Sequence, residues 1–208
     1  MGKASQGQAG RMRERIVQEA ARVMAAEGIT DYHLAKRKAA AHLGASGTRH
    51  LPQNREIQTA LASYQELFGG VQREQHLAEL LTTAVEAMDF FERFRPRLVG
   101  AILDGTAGEH SDVHLHVFAD TPEDIVMFLM DHDIPFDSDE RRVRFDTSYA
   151  YQPVYRFVAG QIPVELTVFD ERALRHPPRS RVDGQPMRRA AVAEVRELRD
   201  NVASHDIG

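Results

Sequence analysis

Apolar residues recur every three or four positions through most of the first half of the chain, the spacing that places them on one face of a helix. This spacing predicts four helices, at residues 12–27, 31–44, 54–68 and 72–94. Asp31 and Asn54 are the expected N-caps of the second and third helices, because their side chains can accept a hydrogen bond from a free backbone N–H. Pro96 ends the fourth helix.

After Pro96 the pattern changes to short apolar runs bounded by turn residues, which is typical of strands. Strands are expected at residues 97–102, 112–118, 142–149, 154–158 and 164–169, the last two joined by a tight turn at Gly160. The run Thr121-Pro122-Glu123-Asp124 predicts the start of a helix between the second and third strands. A short C-terminal helix is expected over residues 190–201. Together these elements predict an α+β fold, in which a helical N-terminal region precedes a mixed sheet with a flanking helix.

Composition narrows the possible functions. The 208 residues suit a helical region at 1–95, a sheet core at 96–170 and an Arg-rich tail with a short helix at 171–208. The net charge of -5 gives no overall attraction to nucleic acid or to an anionic membrane. Because the chain has no cysteine, any metal must be bound by His, Asp or Glu. No apolar run approaches the roughly 20 residues that cross a bilayer, so we expect a cytoplasmic protein.

The candidate chemistry lies at residues 98–118, where an apolar run enters a glycine-containing loop and leaves as a strand. Asp112, His114 and His116 alternate with apolar residues there, so we expect their side chains to share one face of the strand. Glu165 stands between two apolar residues of a later strand and is a candidate third ligand. The same alternation is also typical of an ordinary solvated strand face, and that interpretation stays open.

One stretch of the sequence resembles a known signature. Gly100-Ala101, Gly105-Thr106 and Ser111-Asp112-Val113-His114-Leu115 resemble the motif of the DNA polymerase beta-type nucleotidyltransferase superfamily, in which a Gly-Ser pair and a glycine loop precede Ser-Asp-x-Asp-Leu. The resemblance covers about residues 97–170. More loosely, the whole chain, including residues 34–40 and 182–187, resembles a group of bacterial nucleotidyltransferase-like proteins. The resemblance implies a minimal mixed sheet and transfer of a nucleotidyl group from a nucleoside triphosphate to an acceptor hydroxyl or side chain. Whether a protein or a nucleic acid is the acceptor stays open.

The resemblance also implies a role for each matching position. Asp112 and Glu165 would be the catalytic carboxylates, and with His114 they would bind the divalent metal, Mg²⁺ or Mn²⁺. The residues that would contact the nucleotide are Gly100, Ala101, Gly105, Thr106 and Ser111.

Two positions depart from the family pattern. Ala101 replaces the serine of the Gly-Ser pair, and His114 replaces the second carboxylate. Imidazole is a poor ligand for Mg²⁺, so His114, alone or with His116, would favour Mn²⁺ or Zn²⁺. Alternatively, the fold has lost catalysis and serves as a module that binds a nucleotide or a partner.

A third function class comes from the first helices. Residues 13–28 and the basic helix after Leu34 resemble the start of tetracycline-repressor-type regulators, which predicts helix-turn-helix DNA binding. Residues 45–52 are short for a recognition helix, and the strands of the second half differ from the all-helical ligand domain of those regulators.

The arginines of the tail could either neutralise phosphates or belong to a solvated linker.

Overall fold

The computed structural model of the protein describes residues 2–45, 51–146 and 148–205, with side chains from Gly10 onward. The α-helices of this part of the chain are α1 (Gly2–Glu27), α2 (Tyr32–His42), α3 (Asn54–Phe68), α4 (Gly70–Phe90), α5 (Pro122–Asp131) and α6 (Val192–His205). Its strands are β1 (Arg97–Val99), β2 (Val113–Phe118), β3 (Asp137–Phe145), β4 (Ser148–Ala159) and β5 (Ile162–Phe169). The α+β fold predicted from the sequence is confirmed. None of the described helices is long and apolar enough to cross a membrane.

The chain divides into two compact units. The helical unit contains the residues up to Arg73 together with Thr106–His110 and Arg181–Asp183. The sheet unit contains residues 74–105, 111–180 and those from 184 onward. The boundaries expected from the sequence, at 1–95, 96–170 and 171–208, stay a prediction about domains.

Helices α1, α2 and α3 pack around a common apolar core in the helical unit. Ile16, Ala39 and Ile57, one from each helix, belong to this core and have no exposed surface. Asp31 caps α2 as predicted, because its Oδ1 accepts hydrogen bonds from the backbone N–H groups of His33 at 2.7 Å and Leu34 at 3.0 Å. The cap and the shared core fix the first two helices.

The N-cap of α3 is Gln53, so the expected cap at Asn54 was wrong by one residue. The Asn54 side chain is engaged elsewhere: its Oδ1 accepts from Lys36 Nζ at 2.6 Å, and its Nδ2 donates to the carbonyl of Arg181 at 2.7 Å. Glu56 supplies the capping contact instead, because its Oε2 accepts from the Gln53 N–H at 2.7 Å.

The connection between α2 and α3 bears on the DNA-binding alternative. It consists of residues 43–53, of which 46–50, part of the segment judged too short for a recognition helix, lie outside the described residues. A helix-turn-helix joins its two helices by a turn of about three or four residues. Because residues 46–50 lie outside the described residues, the helix-turn-helix alternative stays a prediction.

The sheet has the strand order β1-β2-β5-β4-β3. β2 and β5 are parallel, and the other neighbouring pairs are antiparallel. One side of the sheet, here called the apolar face, packs against the helices of its own unit. Phe157 of this face lies 5.8 Å from the ring of Phe91, which follows α4, and Phe91 lies 5.3 Å from Phe128 of α5. The opposite side is here called the polar face.

Three of the predicted strands had the wrong bounds. The first ends at Val99 rather than 102, because Gly100 has a φ of +80° and starts a turn in which the Asp104 N–H donates to the Gly100 carbonyl at 3.0 Å. The third was expected at 142–149, but β3 spans Asp137–Phe145, and Asp146 turns the chain with a φ of +42°. The fourth was expected at 154–158, but β4 already begins at Ser148. β3 is an edge strand whose first half is exposed and charged, so it shows no apolar alternation.

The other turns and caps of the sheet unit follow the prediction. The hairpin at Gly160 is present, with Ala159 opposite Ile162 and a φ of +63° at the glycine. Thr121 caps α5, and its N–H donates to Asp124 Oδ2 at 3.0 Å. Local chemistry was enough to place these elements, since each depends on residues next to one another in the chain.

Truncating the core of β2 is expected to destabilise the protein strongly. Leu115 has no exposed surface, so Leu115→Ala should lower the free energy of unfolding by about 3 kcal/mol, through lost burial and the cavity left behind. Val158→Ala is the control on the same sheet, because Val158 is 64% exposed and should change stability by less than about 0.5 kcal/mol. Denaturant unfolding measures both, and equal losses would contradict the assigned core.

Acid is expected to weaken the helical unit through Glu19. Hydrogen bonds from Arg22, at 2.7 and 2.9 Å, and from His42 lower the pKa of Glu19 to about 2. A carboxyl with a lowered folded-state pKa adds stability above its unfolded value, near 4.5, and loses it as the pH falls toward 2. Glu19→Gln should therefore cost about 1 kcal/mol at neutral pH and clearly less near pH 2.

Denaturant unfolding between pH 2 and 7 tests this prediction. Glu14→Gln is the matched control, because Glu14 lies exposed on the same helix. A pH-independent difference between the Glu19 variant and the unaltered protein would contradict the role given to Glu19.

Candidate functional site

The two central strands bring His114 and Glu165 together on the polar face. β2 and β5 run parallel, with His114 directly opposite Glu165. Asp112 immediately precedes β2 and is exposed, so it lies at the entrance to the strand rather than within it. His114 and Glu165 are therefore neighbours on this face, whereas Asp112, expected within the strand, belongs to the loop before it.

Gly100 borders His114 from the neighbouring strand. Val99 pairs with His114, and a Cβ built on Gly100 would lie 3.8 Å from His114 Nδ1. With its φ of +80°, Gly100 adopts a backbone conformation that other residues take only with strain. The glycine therefore places backbone, without a side chain, next to the histidine.

Two arginines neutralise Glu165, whose side chain is only 6% exposed. Arg141 of β3 donates from Nη1 to Oε1 at 2.5 Å and from Nη2 to Oε2 at 2.8 Å. Arg156 of β4 donates from Nε to Oε2 at 3.0 Å. We call these three residues the Glu165 cluster. Both oxygens of the carboxylate thus accept hydrogen bonds from guanidinium groups.

The charge state of Glu165 follows from these neighbours. Burial alone would raise the pKa of Glu165, but the positive charges of His114, when protonated, and of Arg141 and Arg156 outweigh it and lower the pKa. Glu165 is therefore ionised at neutral pH, and the site contains a fixed negative charge between two fixed positive charges.

The pKa values of His114 and Asp112 shift in opposite directions, that of His114 down and that of Asp112 up. Burial lowers the pKa of His114, so the ring is neutral at pH 7, and its Nδ1 lies 3.7 Å from Glu165 Oε1, too far for a strong hydrogen bond. Desolvation by the surrounding protein raises the pKa of Asp112, although solvent reaches its side chain. Of the two, only His114 could carry a positive charge, and it does not do so at neutral pH.

His116 is buried and hydrogen-bonded to an arginine of the C-terminal tail. It is 5% exposed, and Arg189 donates from Nε to its Nδ1 at 2.9 Å. Because Arg189 is always a donor, Nδ1 must be unprotonated, and the single proton of the neutral ring lies on Nε2. Burial, together with Arg189, lowers the pKa of His116 well below its ordinary value. His116 is thus neither a solvated strand residue nor a ligand through Nδ1.

Arg189 is held on the polar face by the chain that follows β5. Its Nη1 donates to the Ala173 carbonyl at 2.6 Å, and its guanidinium lies 5.1 and 5.2 Å from the ring centres of Phe118 and Phe169. Two other arginines beyond β5 contact carboxylates, Arg179 with Asp146 and Arg188 with Glu194. These three tail arginines fold back on protein groups, unlike those of a solvated linker.

The expected nucleotide-binding residues do not all fall in one unit. Gly100, Ala101, Gly105 and Ser111 belong to the sheet unit, whereas Thr106 is grouped with the helical unit. The turn that begins at Gly100 is held by a hydrogen bond from the C-terminal tail, in which Arg188 donates to the Leu103 carbonyl at 3.1 Å. Their contact with a nucleotide stays a prediction.

Of the residues expected to bind metal, Glu165 is already engaged in other contacts and His114 offers the wrong donor atom for Mg²⁺. In residues 2–45, 51–146 and 148–205, no group of three or more His, Asp or Glu side chains is arranged to hold a metal ion. The oxygens of Glu165 already accept from arginines, and His114 offers nitrogen where Mg²⁺ prefers oxygen. As arranged here, the three residues do not fit a pair of Mg²⁺ ions, and the catalytic roles of Asp112 and Glu165 stay a prediction.

Sequence reasoning missed Arg141 and Arg156, and it named Arg189 only among the tail arginines that could neutralise phosphates, not as the partner of His116. Arg141 fell one residue before the expected third strand, and Arg156 lay inside a strand that was read only for its apolar residues. The charged run from Asp137 to Arg142 offered no strand signal, because charged residues stand at positions that face both sides of β3. The contact with Glu165 depends on the pairing of β3, β4 and β5, which spacing along the chain does not reveal.

Removing one arginine of the Glu165 cluster is expected to destabilise the fold. Arg141→Gln should lower the free energy of unfolding by about 1–2 kcal/mol, a value reduced because the Arg141 side chain is 33% exposed. Arg144→Gln, on the opposite face of the same strand and exposed, is the control and should cost less than about 0.5 kcal/mol. The double variant Arg141→Gln/Glu165→Gln should lose less than the sum of the single losses, and additive losses would contradict the coupling.

Comparisons with protein-family models, with curated proteins and with solved structures give no match to this chain. The resemblance to nucleotidyltransferases therefore depends on the residues of the motif from Gly100 to Leu115 and on Glu165. What the described residues add is a neutralised, buried carboxylate beside a neutral histidine and an exposed aspartate.

Proposed function

We propose that the polar face of the sheet unit binds a phosphate-bearing ligand without using a metal ion. The class of ligand implied by the resemblance is a nucleotide. The observation that carries the proposal is the Glu165 cluster, because two guanidinium groups stand where a metal-dependent enzyme of the family would need a free carboxylate.

The arginines of the cluster are accessible to a ligand. The side chains of Arg141 and Arg156 are 33% and 43% exposed, although the carboxylate that they share is buried. A guanidinium group binds phosphate through two parallel N–H groups, which gives both attraction and a defined orientation. Positive charge that solvent can reach on a sheet face therefore supports an anionic ligand.

The adjacent glycine supports the same assignment. At Gly100 the chain leaves β1 beside His114, and no side chain separates its backbone from that ring. Glycine at such a point allows a ligand to approach the main chain closely. A phosphate bound by the arginines could thus be contacted from the β1 side as well.

Nucleotidyl transfer is the second candidate, and one observation favours it. Asp112 lies two residues before His114, and His114 is opposite Glu165, the order in which the family presents its carboxylates. If the enzyme hypothesis is correct, a divalent cation must displace the arginines from Glu165 and bind to Asp112. Binding of a triphosphate would then require the cation.

Calorimetric titration of nucleoside mono- and triphosphates should distinguish the two functions. We expect binding in EDTA, no strict requirement for Mg²⁺ or Mn²⁺, and little effect of Asp112→Asn. Arg141→Gln should weaken binding about tenfold or more, because it removes a bidentate contact. Arg144→Gln serves as the control for the loss of one positive charge from the same strand.

The opposite pattern would reject metal-free binding. If nucleotides bind only with Mg²⁺ or Mn²⁺ present, and Asp112→Asn abolishes that binding, the nucleotidyltransferase hypothesis is favoured. If no nucleotide binds under either condition, both functions are rejected for this face.

A further inference from the structure

Glu165 accepts hydrogen bonds from Arg141 and Arg156, the two arginines that the proposed ligand would need. We propose that Glu165 competes with the ligand for Arg141, and that a terminal phosphate group binds by replacing Glu165 as the hydrogen-bond partner of Arg141. This inference deepens the proposed function and depends on it. It names the class of ligand selected by the site, a phosphate monoester, and the residue that sets the selection.

Arg141 is the member of the Glu165 cluster that can change partner. Its Nη1 and Nη2 donate to the two oxygens of Glu165, and its side chain extends from the edge strand of the sheet. Arg156, in contrast, is also tied to Asp139, with Nη1 donating to Oδ2 at 3.1 Å. Arg141 can therefore rotate toward a ligand while Arg156 keeps its place.

The buried carboxylate keeps hydrogen-bond partners after this exchange. Arg156 Nε still donates to Oε2 at 3.0 Å. His114 Nδ1, 3.7 Å from Oε1, comes within hydrogen-bond distance after a small rotation of either side chain, and in the neutral ring it can donate. Glu165 is not left as an unpaired charge, which would cost several kcal/mol.

Competition with an internal carboxylate selects the charge of the ligand. Glu165 carries one negative charge and, being attached to the sheet, has a high effective concentration at Arg141. A phosphate monoester carries nearly two negative charges above its second pKa, about 6, and has three oxygens available. A phosphodiester or a free carboxylate carries only one. The site should therefore favour a terminal phosphate over a diester of the same nucleoside.

The test compares adenosine 5′-monophosphate with adenosine 3′,5′-cyclic monophosphate, titrated calorimetrically at pH 7.5 in EDTA. These two probes share a base and a sugar and differ in the charge of the phosphate. The unaltered protein should bind the 5′-monophosphate and bind the cyclic diester at least about tenfold more weakly. Glu165→Gln, which keeps the shape and removes the competing charge, should bind both probes about tenfold more tightly than the unaltered protein.

Glu140→Gln is the charge-matched control. Glu140 lies next to Arg141 on β3, exposed, with its side chain on the opposite face, so its removal should change either affinity by less than about twofold. Thermal unfolding of each variant establishes that it is folded at the temperature of the titration.

Each outcome bears on one proposal or on both. If the unaltered protein binds the 5′-monophosphate but Glu165→Gln binds it equally or more weakly, the competitor role is overturned while phosphate binding stands. If neither protein binds any phosphate, the proposed function and this inference both fail. Tighter binding by Glu165→Gln alone, with Glu140→Gln unchanged, supports the exchange.

A second measurement does not depend on a variant that folds. A crystal structure of the unaltered protein with the 5′-monophosphate should show Arg141 on the phosphate, away from Glu165, and Arg156 still on Glu165. A bound phosphate with both Arg141–Glu165 hydrogen bonds intact would overturn the proposal.

Discussion

The polar face of the sheet depends on the neutralisation of one buried carboxylate. Glu165 is almost fully removed from solvent at the centre of a parallel strand pair, where an unpaired charge would cost several kcal/mol. Arg141 and Arg156 compensate it, and they come from the two strands that continue the sheet beyond β5. The hairpin of β3 and β4 is thereby fastened to the central strands by charge as well as by backbone pairing.

This constraint also determines what the face can do. A carboxylate bonded to two guanidinium groups is a weak candidate for a metal ligand, whereas guanidinium groups that solvent reaches are good candidates for a phosphate. His114 is neutral and Asp112 is exposed, so the nearby groups neither add positive charge nor fill the surface. The proposed binding of a phosphate, and the proposed exchange of Arg141, both follow from this one arrangement.

Local features of the chain could be predicted well. The cap at Asp31, the start of α5 at Thr121 and the hairpin at Gly160 are each fixed by residues adjacent in sequence, and the structure confirms all three. Period-two alternation also assigned His114 and Glu165 each to one face of its strand, whereas their facing each other depends on the parallel pairing of β2 with β5, which was not predicted.

What could not be predicted depends on contacts that are distant in the sequence. Arg141 reaches Glu165 across β4, a relation that exists only after the register of three strands is set. His116 was interpreted either as a metal ligand or as a solvated strand residue, because nothing near it in the chain indicates that Arg189 would cover it. The first half of β3, residues 137–141, escaped prediction for a related reason: an edge strand with charged side chains on both faces lacks the apolar alternation that identifies strands.

The central claim is that arginine, and not a metal ion, neutralises Glu165. A ¹³C NMR titration of the glutamate side-chain carboxyl groups, with the Glu165 signal assigned by its loss in Glu165→Gln, tests this most directly when repeated with sub-stoichiometric Mn²⁺. The account predicts a pKa for Glu165 below its ordinary value in metal-free solution, with no selective broadening of its signal by Mn²⁺. A pKa at or above the ordinary value near 4.5, or selective broadening of Glu165 by Mn²⁺, would contradict it.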